Sequence, residues 1–121
     1  MQDYQKLLVW RKAHKLVLDV YVSTKKFPKD ELYGVTSQLR RAVVSISANI
    51  VEGAGRKTKA DFARFLTMSL GSTNEVEYFL LLSRDLEYLN IEKYKLLNQQ
   101  LVEIRKMLIS LEKKISSESN S

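Results

Sequence analysis

The residues able to do chemistry are few, and their spacing removes most enzyme classes. There is no cysteine and a single histidine, His14. Thiolate catalysis, disulfides and Cys-ligated zinc are excluded, as is a His-rich metal cage within one chain. A carboxylate-bridged metal pair in a helical protein needs Glu-x-x-His pairs, and Glu52, Glu75 and Glu77 have none. Ser45 and Ser47 fall in a helical pattern, not in a Gly-x-Ser-x-Gly elbow. His14 has no acid and nucleophile to work with and reads as a packing residue. Gly53-Ala-Gly55-Arg56-Lys57 has the composition of a phosphate loop. It follows a helix rather than a strand, so it reads as a helix stop. The expectation is a non-enzymatic protein with no catalytic residue, metal or cofactor.

Two groups of polar residues remain. Arg40, Arg41, Arg56, Lys57 and Lys59 bracket the second predicted helix and are the candidates for phosphate contacts. Arg11, Lys12 and Lys15 extend the patch. Tyr4 and Trp10 could stack on bases, although Val9 and Ala13 beside Trp10 place it in the core. The net charge of +6 and pI near 9.6 suit RNA, DNA or an acidic surface. The second group is a stripe on that helix at about 100° per residue: Gln38, Arg41, Ser45, Asn49, Glu52 and Arg56. It reads as a structural polar seam, with Ser72 and Glu75 as partners for Arg41 or Asn49. Beyond it lies a second small apolar patch of Val44, Ala48 and Val51, which predicts an oligomer interface because an ordinary surface helix has one apolar stripe.

These groups must be positioned by helices. Four Gly and one Pro in 121 residues leave little room for the tight turns of a β fold. Val9, Ala13, Leu16, Val20 and Phe27 set a first helix over about 7–25, ended by Pro28. Pro28, Asp30 and Glu31 suit the start of a second, with Leu39, Val43, Ile46 and Ile50 as its core face. It runs to about Glu52, with Gly53 and Gly55 as left-handed stops. A third helix opens at Thr58-Lys-Ala-Asp61, a variant capping box, and continues to about Tyr88 through Phe62, Leu66, Ser69, Thr73, Val76 and Leu80. The small residues Ser69, Gly71, Ser72 and Thr73 predict close approach of a neighbouring backbone. Asn90 caps a fourth helix over 91–115, on which Tyr94, Leu97, Leu101, Ile104, Leu108, Leu111 and Ile115 form an a/d heptad seam.

The fold class predicted is all-α: an up-down-up-down four-helix bundle assembling as a homo-oligomer. Residues 1–115 form the single domain, and 116–121 a flexible polar tail. The first residues lack the apolar core of a signal peptide, and no run approaches a membrane span. The expected location is the cytoplasm, away from any membrane.

Several motifs carry a family resemblance. They are Val9-Trp10-x-x-Ala13, Phe27-Pro28-x-x-Glu31-x-Tyr33-Gly34, Ser37-Gln38-Leu39-Arg40-Arg41-Ala42, Ser45-Ile46-x-Ala48-Asn49-Ile50-x-Glu52-Gly53 and Gly71-Ser72-x-x-Glu75. Together they resemble the four-helix bundle family of 23S ribosomal RNA intervening-sequence proteins over roughly residues 5 to 115. The chain departs from the family at Ser47 and Val51, where Pro and Ala are common. The resemblance implies a homopentamer of this chain, with structured RNA or another nucleic acid as the expected partner. It also extends to the accessory protein of diversity-generating retroelements, which implies the rival reading: a protein-interaction scaffold for a partner such as a reverse transcriptase.

Overall fold

Two of the four helices, the third and the fourth, begin on a short polar side chain that takes an amide of the first turn; the first two begin without a side-chain cap from the residue before them. The computed structural model of the chain describes residues 2–119. It contains α1 (Leu8–Thr24), α2 (Val35–Ala54), α3 (Lys59–Asp85) and α4 (Ile91–Ser119), with single 3-10 turns at Tyr4–Lys6 and Lys29–Glu31. No strand is present among the described residues. Thr58 Oγ1 accepts from the Asp61 amide (3.1 Å), and Asn90 Oδ1 from the Lys93 amide (2.7 Å). Both are side-chain caps of the expected kind.

The core is the set of helical stripes read from the sequence. Ala13, Leu16 and Val20 on α1, Leu39, Val43, Ile46 and Ile50 on α2, Leu66, Val76 and Leu80 on α3, and Leu97, Leu101, Ile104 and Leu108 on α4 are all buried. Each helix packs against its sequence neighbour, and α1 also packs against α4, so the four close into a ring. Contacts run in opposite order along neighbouring helices. Gly53 meets Phe62 and Phe65, and Ile46 and Ser45 meet Ser69 and Ser72. Lys59 meets Glu118, while Arg105 meets Thr73 and Glu77.

Four expectations need correction. The second helix starts at Val35, not at Pro28. Pro28 is followed by a 3-10 turn whose last amides bond back to Pro28 and Lys29, and Gly34 is the first residue able to feed the helix. Neither Gly53 nor Gly55 is left-handed. Gly53 is buried inside α2, and Gly55 ends it in a right-handed conformation with its amide shared between Val51 and Glu52 carbonyls. The third helix ends at Asp85, and Glu87 (φ 64°) turns the chain toward α4. The fourth helix runs on to Ser119, so residues 116–119 are helical and not part of a tail; 120 and 121 lie outside the described residues.

The close approach expected at Gly71 occurs elsewhere. A Cβ at Gly71 would meet nothing within 4 Å, whereas one at Gly53 would lie 2.8 Å from Phe65 Cβ and 2.9 Å from Phe62 Cδ1. At Ser69 and Ser72 the expected close approach to a neighbouring helix is present. Ser69 Oγ donates to the Ile46 carbonyl (2.8 Å) and Ser72 Oγ to Ser45 Oγ (2.8 Å), tying α3 to α2 through short side chains.

Candidate nucleic-acid interface

The five candidate phosphate ligands separate into three places. Arg40 and Arg41 are neighbours in sequence, but a helix turns them about 100° apart. Arg40 faces α1: its Nε donates to Thr24 Oγ1 (2.9 Å), and its guanidinium lies 4.7 Å from the centre of the Tyr21 ring. Arg41 faces α3. With Gln38, Ser45 and Glu75 it lines a shallow cleft of about 290 Å³. Both arginines stand about 23 Å along the α2 axis from Arg56, at about 1.5 Å per residue.

Arg56, Lys57 and Lys59 do come together. The turn from α2 to α3 is too short to separate them, and they line one cleft of about 260 Å³ with Gln2, Thr58 and Ile115. Arg56 reaches back one helical turn, its Nη2 donating to Glu52 Oε1 (2.8 Å), and its guanidinium covers the Phe65 ring at 4.8 Å. Lys59 Nζ donates to Glu118 Oε1 (2.8 Å). That bond holds the Glu118 carboxyl below its ordinary range, so the pair is intact at neutral pH and is lost only as pH falls below the carboxylate range. Lys57 is exposed and has no hydrogen bond or ion pair. Glu118, read from the sequence as part of a polar tail, is thus the ion-pair partner of one of the residues lining this cleft. Its spacing of 59 residues from Lys59 left no local signal.

The polar seam is bonded at its centre, closed at one end by the Glu52–Arg56 pair, and open at Gln38 and Arg41. Asn49 Nδ2 donates to the Ser45 carbonyl (2.9 Å) and to Ser45 Oγ (3.1 Å), and Ser72 adds its bond to the same hydroxyl. Ser72 therefore partners Ser45, not Arg41 or Asn49. Gln38, Arg41, Glu52 and Glu75 are exposed. On the outer side of α2, Val44 and Ala48 are exposed and Val51 is half-buried.

The other singled-out residues are structural. Trp10 packs on the core, its ring 4.9 Å from Tyr4 and stacked on His14 at 5.0 Å with 6° between planes. Among the described residues no group of three or more His, Asp or Glu is placed to hold a metal ion. No helix among the described residues is long and apolar enough to cross a membrane.

A ring of four helices with a basic turn and a hydrogen-bonded seam defines a small helical protein. The chain belongs to the family of 23S rRNA-intervening sequence proteins, whose family model matches residues 5–110. It is also similar to the crystal structure of a protein of unknown function from the S23 ribosomal protein family of Bacteroides thetaiotaomicron. The two share 32% identity and superpose with a TM-score of 0.80, covering 88% of this chain and 99% of the other. No curated protein matches the chain.

Proposed function

We propose that the chain is a non-enzymatic, up-down-up-down bundle that assembles into a homo-oligomer, a pentamer by family resemblance, and binds structured RNA in the cytoplasm. The observation that carries the nucleic-acid reading is the convergence of Arg56, Lys57 and Lys59 on one cleft at the start of α3. Cationic side chains at a helix N-terminus suit a phosphate oxygen. The name of the family, and the excess of 20 Lys and Arg over 14 Asp and Glu, support the same reading. The opposed contact order of adjacent helices supports the topology.

The test is fluorescence anisotropy with a ribosomal RNA hairpin and a matched DNA duplex at two salt concentrations. For three phosphate contacts, log affinity should fall with log salt with a slope of about −2. Arg56→Ala with Lys57→Ala should lower affinity for every sequence and flatten the slope. Glu118→Gln should act in the opposite direction, because it releases Lys59 from its carboxylate. Absence of salt-sensitive binding by the intact oligomer would move the reading to a protein-interaction scaffold.

The oligomer has its own check. Val44 and Ala48 lie uncovered on the outer side of α2, and a carboxylate at either would be buried by a second copy. Val44→Asp is expected to give a smaller species by light scattering while retaining its helical circular dichroism. A wild type that is already monomeric would end the oligomer reading.

A further inference from the structure

A second cationic cleft lies at the end of the bundle remote from Arg56, where α1 hands over to α2. It has a volume of about 380 Å³ and is lined in part by Lys25, Lys29, Thr36 and Arg40. Three features of its wall are unexplained by the fold.

The first is the start of α2. Gly34 provides no side-chain cap. The Val35 amide is taken by Glu31 Oε1 (3.3 Å) and the Gln38 amide by the Gly34 carbonyl (3.1 Å), while those of Thr36 and Ser37 have no partner in the chain. The second is the hydroxyl of Thr36. The residue is 3% exposed, and its Oγ1 is buried without a hydrogen bond. Buried hydroxyls are nearly always bonded, so one left open beside free helix amides marks a place for an acceptor.

The third is Arg40. It stands one turn beyond Thr36, on the same side of α2. Thr24 and the Tyr21 ring fix its guanidinium through Nε and one face. Its terminal nitrogens make no bond, which is the fork that suits two oxygens of one anion. Lys25 and Lys29 have no ion pair either. No carboxylate lines the cleft. Glu31 lies next to the cleft without lining it: one oxygen takes the Val35 amide and the other accepts from the Tyr88 hydroxyl at 2.7 Å, so both are already engaged.

We infer that this cleft binds a phosphoryl group, held by the Thr36 and Ser37 amides, the Thr36 hydroxyl and the Arg40 guanidinium, with Lys25 and Lys29 at its mouth. Pro28 and Leu32 form an apolar side wall for whatever carries the phosphate. Two sources share that chemistry: the terminal phosphate of a small organic phosphate, and an internal phosphate of a nucleic-acid strand. The assignment is independent of the cleft at Arg56, because no residue lines both.

The experiment is a titration of isotopically labelled full-length chain, followed by amide NMR. Inorganic phosphate, a nucleoside 5′-monophosphate and an RNA hairpin are added separately, each against chloride at equal ionic strength. The Thr36 and Ser37 amides should move saturably, with half-saturation by inorganic phosphate at about 1 mM, a weak-site value. Arg40→Gln should raise that concentration about tenfold. Lys29→Ala, an exposed change that leaves the fold intact, should raise it about threefold; each such step is a fraction of the energy of one charge-assisted bond. Tighter binding of the monophosphate identifies a small organic phosphate, and tighter binding of the hairpin at these same resonances identifies a strand. Absence of saturable movement with all three ligands would overturn the site. So would movement that both variants leave unchanged. Movement confined to Arg56 and Lys57 would overturn it while sparing the other cleft.

Discussion

Gly53→Val is expected to destabilise the chain by about 3 kcal/mol, the upper end of what overpacking a well-filled interior costs. The new Cβ alone would lie 2.8 Å from Phe65 Cβ, 2.9 Å from Phe62 Cδ1 and 3.3 Å from the Phe62 carbonyl. The Phe62 ring can turn; Phe65 Cβ and the carbonyl are tied to the α3 backbone and cannot. Relief requires α3 to move off α2, which strains the Ser69 bond to Ile46 and the Ser72 bond to Ser45. In urea, the unfolding midpoint should fall by about 2 M for a slope of about 1.5 kcal/mol/M. Gly53→Ala should cost less, because relief of the helix penalty of glycine, about 1 kcal/mol, offsets part of the clash. The same exchange at Gly71, with open space around it, has only that gain and should stabilise. An unchanged midpoint for Gly53→Val would mean that the two helices are not in close contact there.

The second large effect is Leu101→Ala, expected to cost about 3–4 kcal/mol as a large-to-small change in a filled core. Leu101 is fully buried, and it occupies the middle of the heptad seam of α4. Its neighbours on that seam, Leu97, Ile104 and Leu108, are held by the helix backbone and cannot collapse into the space. Leu96, one position before the seam, is 56% exposed. Leu96→Ala should stay within about 0.5 kcal/mol of the wild type. At one fixed protein concentration, Leu101→Ala should lower the melting temperature by about 12 °C or more. Equal effects of the two changes would refute the seam.

Periodicity made the core legible. The stripe Phe62, Leu66, Ser69, Thr73, Val76, Leu80 was readable because burial on a helix depends on angle, even where the residues are polar. The start of α2 was not readable. Proline followed by two acids fits the first turn of an α-helix and an isolated 3-10 turn equally well, and the choice depends on where Glu31 finds Tyr88. The glycines exchanged roles for a similar reason. Gly53 looks like a stop in sequence, but what decides its use is a pair of phenylalanines on the next helix.

The candidate sites were legible in residue type and not in grouping. Arg40 and Arg41 read as one basic pair until the helix sends one to Tyr21 on α1 and the other to a cleft that Glu75 of α3 also lines. Lys59 reads as free until Glu118 arrives from the far end of α4. Charge neutralisation by a partner so distant in sequence has no local signature. Arg56, Lys57 and Lys59 stayed together because they share one short turn, which leaves no slack to part them.

The Gln2 amide bonds to the Ala54 carbonyl at 2.8 Å, and Glu118 holds Lys59. The first and last described turns of the chain are thereby tied to the same α2–α3 corner. A purification tag, fluorophore or fused domain at either end would hang over the Arg56 cleft and compete with any strand that enters it. Binding assays therefore call for a label elsewhere. The exposed Tyr33 in the α1–α2 connection, 91% accessible, is a natural position, and the chain could be reopened there by circular permutation with the former ends joined through a short linker.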